Sequence, residues 1–151
     1  MENFTLFTKM INQYIRLAFA HLYIFGFRYK GNIYMSIKDS NFLPFACTLD
    51  KASRGYGYAL RYKPNKSIKI AMLNNATCIC SEKYFDEVVA NSKYNNGEIF
   101  EKFVTEYFGQ RWTKDTVPFT KAGDIVVNGI HYQIKFEKAT FATEYSLDRL
   151  A

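Results

Sequence analysis

The stretch Asp124-Ile125-Val126-Val127-Asn128-Gly129-Ile130-His131-Tyr132-Gln133-Ile134-Lys135-Phe136-Glu137 decides how the rest of the chain is read. Asn-Gly between two alternating, β-branched runs is the strongest short-range signal for a hairpin closed by a two-residue type I′ turn. Such a turn sets the register. Val127 then faces Ile130, Val126 faces His131, Ile125 faces Tyr132 and Asp124 faces Gln133. Directly opposed side chains share a face, with Cβ atoms roughly 4.5–5.5 Å apart. Residues two apart on a strand also share a face. Ile130, Tyr132, Ile134 and Phe136 therefore form an apolar face, while His131, Gln133, Lys135 and Glu137 line the other beside Asp124.

A carboxylate, an amide oxygen and an ammonium converge on that polar face. A hard cation such as Mg²⁺ takes oxygen ligands and usually keeps several waters. Asp124 and the Gln133 side chain can each supply one oxygen, and the Ile134 carbonyl a third. Lys135 would stand near the attacking water or the scissile phosphate, where it orients the nucleophile or offsets developing charge. An ordinary solvated sheet face would show the same alternation.

The segment Asn96 to Gly109 reads as a helix. Asn95 or Asn96 can cap its start and Gly109 suits the position just past its end. Ile99, Phe100, Phe103, Val104, Tyr107 and Phe108 make a broad apolar stripe. On a helical wheel Glu101 lies at the edge of that stripe and Glu98 points away from it, toward solvent. A boundary carboxylate can reach a site between helix and sheet, although a helical glutamate is most often simply a surface residue.

Gly97 to Lys135 resembles the PD-(D/E)xK nuclease superfamily. The order is a Gly-x-x-x-Glu helix (Gly97, Glu101), a strand, then Gly-Asp (Gly123, Asp124), then a strand bearing Gln-x-Lys (Gln133, Ile134, Lys135). The helix is similar to that of archaeal Holliday-junction resolvases, and glutamine at the usual carboxylate position is similar to Mrr-like restriction endonucleases. The resemblance covers roughly the last third of the chain. It implies a restriction-endonuclease-like α/β core, Mg²⁺ or Mn²⁺ as cofactor, metal ligation by Glu101, Asp124 and Gln133, and a catalytic role for Lys135. Two departures stand out. Gln133 removes a negative charge, and only about sixteen residues follow Lys135 where the family core usually continues with a helix and another strand. A helix over Thr143 to Ala151 fits there; an N-terminal strand could complete the sheet.

The chain has 151 residues, a formal net charge of +6 and a pI near 9.2. That length suits one domain or two tightly joined subdomains. A basic chain favours polyanions, because lysine and arginine release counterions from phosphates; a modest excess with no patch is equally a reading of this charge, and many proteins that bind no polyanion carry it. Cys47, Cys78 and Cys80 are an odd set with no secretory signal ahead of them, so reduced thiols in the cytoplasm are the default. Cys-Ile-Cys is not a zinc-knuckle spacing, and neither His21 nor His131 completes a convincing metal pattern.

Phe4 to Phe27 shows helical periodicity, with Phe7, Met10, Ile11, Tyr14, Ile15, Leu17 and Ala18 on the buried face. Charged residues interrupt it well short of the roughly 20 apolar residues of a membrane span, so no membrane role is expected. Arg28 to Cys80 reads as β-rich, with runs at Asn32–Ile37, Tyr58–Tyr62 and Ser67–Leu73. Lys51 to Lys63 interleaves basic and aromatic residues with glycine. Arg54, Arg61 and Lys63 could meet phosphates while Tyr56 or Tyr58 stacks on bases, with His131 a further substrate contact; a solvated sheet face has the same composition. Ser81 caps a short helix, Glu82 to Ala90, and residues 91–96 form a polar linker.

The chain is thus read as an α/β protein. Residues 1–80 form an N-terminal helix plus a β-rich substrate-contact region, and residues 81–151 a nuclease-like core with a helix and a mixed sheet bearing the Asp/QxK hairpin. The expected activity is metal-dependent hydrolysis of DNA phosphodiester bonds, with a homodimer favoured for cutting two strands. The alternative is a non-catalytic nuclease fold that binds nucleic acid or a protein partner, such as a phage- or plasmid-encoded inhibitor.

Overall fold

The computed structural model describes residues 22–51, 58–113 and 125–142. They form a mixed α/β fold with two sheets. β1 (Leu22–Tyr29) and β2 (Asn32–Asp39) make a hairpin, turning through Lys30 and Gly31, both at positive φ. β3 (Cys47–Lys51) and β4 (Tyr58–Tyr62) follow, then helix α1 (Lys66–Leu73), β5 (Thr77–Ser81), α2 (Glu82–Ala90) and α3 (Asn96–Tyr107). The chain closes with β6 (Ile125–Val127), β7 (Ile130–Phe136) and β8 (Ala139–Ala142). The larger sheet has the order β5-β2-β1-β7-β6, and its one parallel pair among the described residues is β1 with β7. The smaller sheet has the order β3-β4-β8.

β1 is the centre of the molecule. Tyr23, Ile24, Phe25 and Phe27 are fully buried, so both faces of this strand are covered. Tyr23, Phe25 and Phe27 join Leu43, Tyr62 and Met72 in a core beneath the smaller sheet and α1. Ile24 joins Ile33, Phe85, Phe100, Val104, Ile134 and Phe136 in a second core beneath α2 and α3. Burying one such side chain contributes about 1.5–3 kcal/mol, so this strand is the main anchor of both cores.

Two expected elements differ. The helical reading of Phe4 to Phe27 fails over Leu22–Phe27, which is strand, while Phe7 to Ala18 lie outside the described residues. A strand buried on both faces is a continuous apolar run, and periodicity does not separate it from a buried helix. Ser67–Leu73 is helix rather than strand. Asn65 starts it by accepting the Ile68 N–H at 2.9 Å. Met72 is then buried and Ile68 half-buried, four residues apart on one face, while Ile70 is half exposed.

The expected helices α2 and α3 form with the caps read from the sequence. Ser81 accepts the Tyr84 N–H at 3.1 Å. Gly109 follows α3 at φ +73, a left-handed position that favours glycine. Residues 1–80 and 81–151 contribute strands to the same larger sheet: an N-terminal strand, β1, lies directly beside β7. The expected C-terminal helix, Thr143 to Ala151, lies outside the described residues.

Candidate functional site at the edge of β7

The hairpin has the register read from its turn. Ile125 pairs with Tyr132, Val126 with His131 and Val127 with Ile130. Asn128 and Gly129 both have positive φ, 51° and 78°, as a type I′ turn requires. Ile134 and Phe136 are buried under α2 and α3, and Tyr132 packs against the same core. Ile130, at the tip, is exposed. Gln133 and Lys135 alternate with these residues and stand in register with Tyr23 and Phe25 of β1.

β6 covers β7 only as far as Tyr132 among the described residues. Beyond it, the β7 edge opposite β1 meets the first turns of α3. A pocket of about 360 Å³ lies at that junction. Asn95, Gly97, Glu98 and Glu101 line it from the helix, Gln133 to Phe136 from the strand, and Lys138 and Ala139 from the chain that follows. Glu101, Gln133 and Lys135, three of the expected site residues, are therefore brought together. Glu101 is half-buried there, and its backbone carbonyl accepts the Thr105 hydroxyl at 2.7 Å.

Glu98 corrects the helical-wheel reading. It is half-buried and lines the same pocket rather than reaching only solvent. The cause is a capping box. Asn95 Oδ1 accepts the Glu98 N–H at 2.9 Å, and Glu98 Oε1 accepts the Asn95 N–H at 3.2 Å. The Asn-x-x-Glu spacing carried this signal. Glu137 also departs from the polar row beside Lys135. β7 ends at Phe136, Glu137 turns off at φ 53, and its carboxylate accepts the Arg28 N–H at 2.9 Å. Lys138 was missed because nothing local announces a left-handed turn at a glutamate.

Asp124, Arg54 and Tyr56 lie outside the described residues, as does the Tyr58 side chain. Arg61 and Lys63 are exposed at the end of β4. His131 is half-buried on β7 and does not line the pocket. Among the described residues no three His, Cys, Asp or Glu side chains are grouped to hold a metal. Cys47 is buried, Cys78 exposed and Cys80 half-buried, all as free thiols. Burial pushes the Cys47 thiol up to about 12, so it is neutral and no nucleophile.

The donor set of the pocket still suits a hard cation. Glu101 offers a carboxylate and Gln133 an amide oxygen, both ligand types that Mg²⁺ accepts while keeping waters. Glu98 is a second carboxylate, partly committed to its cap. Lys135 lines the same pocket from β7. No helix among the described residues is long and apolar enough to cross a membrane. No family model, curated protein or solved structure matches the chain.

Proposed function

We propose that this chain is a divalent-metal-dependent nuclease that hydrolyses phosphodiester bonds in DNA, with a restriction-endonuclease-like core. The observation that carries this reading is the meeting of Glu101, Gln133 and Lys135 in one pocket, from a helix and a strand about thirty residues apart. Glu101, Gln133 and Asp124, the sequence partner of Gln133, would hold Mg²⁺ or Mn²⁺. The cation would supply Lewis-acid stabilisation of charge on the phosphate. Lys135 would orient the attacking water and offset the charge that develops on the phosphoryl oxygens. Cutting both strands of a duplex with one site per chain calls for a two-fold dimer.

Gln133 favours a second reading. A neutral amide where a carboxylate would bind metal more strongly suits a protein that grips nucleic acid, or a nucleic-acid-processing protein, without cutting. One experiment separates the two. Plasmid, supercoiled and branched DNA are incubated with the protein and Mg²⁺, Mn²⁺ or EDTA. Metal-dependent cleavage, lost in Asp124→Ala and Lys135→Ala with the fold retained, supports the nuclease. Absence of cleavage with either metal, or full activity in Asp124→Ala, overturns it.

A further inference from the structure

The turn that leaves β7 is held firmly. The Glu137 N–H donates to the Gly26 carbonyl at 2.9 Å, and its Oε1 accepts the Arg28 N–H and lies 3.6 Å from Lys69 Nζ. Two residues later Ala139 pairs with Tyr62 in the smaller sheet. Lys138 is therefore fixed between two anchored residues, at the wall of the pocket that Glu101, Gln133 and Lys135 line. Tyr62 and Ala139 are the last pair of that antiparallel ladder. Lys63 follows β4 directly and Lys138 directly precedes β8, so both flank the end of that ladder.

Both lysines are exposed, and neither makes an ion pair or hydrogen bond with a described residue. Like charges brought near each other at the end of a ladder repel. An anion between them relieves that repulsion and gains from both ammoniums. The pocket behind Lys138 is lined by a third lysine, Lys135. We propose that Lys63 and Lys138 clamp one backbone phosphate of the nucleic-acid strand whose scissile bond lies at Lys135. This rests on the nuclease reading for the identity of the strand. It assigns Lys138 to substrate binding and joins the smaller sheet to the pocket.

The test is affinity against salt for labelled single-stranded and duplex DNA, in EDTA so that nothing is cut. Wild type is compared with Lys63→Ala, Lys138→Ala, the double variant, and Lys83→Ala on the exposed side of α2. The double variant should flatten the salt dependence by about 0.7–0.9 in slope, which shrinks the affinity lost over a fourfold rise in salt about threefold. Lys83→Ala should match wild type. A double variant with the wild-type slope and affinity overturns the clamp, as does an equal effect of Lys83→Ala, which would make it a matter of net charge. If wild type also cleaves DNA in those cases, the site at Lys135 stands without the clamp. Wild type that neither binds nor cuts DNA removes both.

Discussion

The edge of the Phe100 ring occupies the space in which any Cβ at Gly26 would stand. Gly26 is therefore what lets α3 settle on β1. Phe100 also packs on Phe136, with ring centroids 4.9 Å apart, so one contact seats the helix on both central strands. Glu101 is the next residue, and its place at the edge of β7 follows from that seating. Gly26→Ala should destabilise the protein by about 1–3 kcal/mol through overpacking. Phe100→Leu in the same chain should recover part of the loss, because the smaller side chain makes room. Denaturant unfolding of the two single variants and the double measures this, and strict additivity would refute the contact.

The local elements of this fold were legible because their signals are local. Asn128-Gly129 announced the hairpin and its register, Ser81 and Asn95 the helix starts, and Gly109 a helix end. β1 was not legible as a strand. Its run of Leu, Tyr, Ile and Phe is covered on both faces and carries no alternation. Lys66–Leu73 alternates like a strand, yet Asn65 caps it and tertiary packing buries Met72. For the site, the Gln133–Lys135 row and Glu101 were visible in the sequence, whereas Lys138 depends on how β7 passes into the second sheet. That is a long-range pairing, set by Tyr62 and Ala139, to which no local pattern points.

The two helix carboxylates of the pocket should separate on substitution. On the proposed nuclease reading, Glu101→Ala should lower the rate of metal-dependent cleavage by about a hundredfold or more, the scale of losing one group that stabilises transition-state charge. Glu98→Ala removes half of the capping box and should cost about 0.5–1 kcal/mol of stability. Its effect on rate should be much the smaller of the two. Parallel rate and unfolding measurements decide this. A larger rate loss for Glu98→Ala would move the proposed metal-binding role one turn back along α3.

Alkaline pH should weaken the fold. Burial raises the Cys47 thiol from its ordinary value of 9.0 to about 12. Burial also raises the Tyr62 hydroxyl, with smaller contributions from Glu137 and Cys47. Both groups stay neutral in the folded protein at a pH where the unfolded chain ionises. The unfolded state then binds fewer protons, so stability present below about pH 9 is lost as pH rises toward 12. For Cys47 the full loss is on the order of 4 kcal/mol. Unfolding of wild type and Cys47→Ala at neutral pH and near pH 10.5 should show the steeper loss in wild type. Equal losses would mean that the Cys47 thiol ionises in the folded protein as freely as in the unfolded chain.

Glu137 should matter through its hydrogen bond rather than its charge. Its Oε1 accepts the Arg28 N–H at 2.9 Å, and its partner Lys69 lies 3.6 Å away, both part-buried. A longer ion pair of this kind is worth at most about 1 kcal/mol, whereas a hydrogen bond to a charged acceptor is worth roughly 1.5–3 kcal/mol. The residue also sits at φ 53, which costs a non-glycine residue about 1–2 kcal/mol. Glu137→Gln keeps an oxygen for the Arg28 N–H and should lie within about 1 kcal/mol of wild type. Glu137→Ala keeps the strain and loses the acceptor, so it should be the least stable, down by roughly 1.5–3 kcal/mol. Glu137→Gly loses the acceptor but relieves the strain and should fall between them. The order Gln, Gly, Ala in urea unfolding tests the argument; Gln as unstable as Ala would show that the ion pair with Lys69 holds the turn. In that case Lys138 would owe its place at the pocket to charge, and added salt should loosen it.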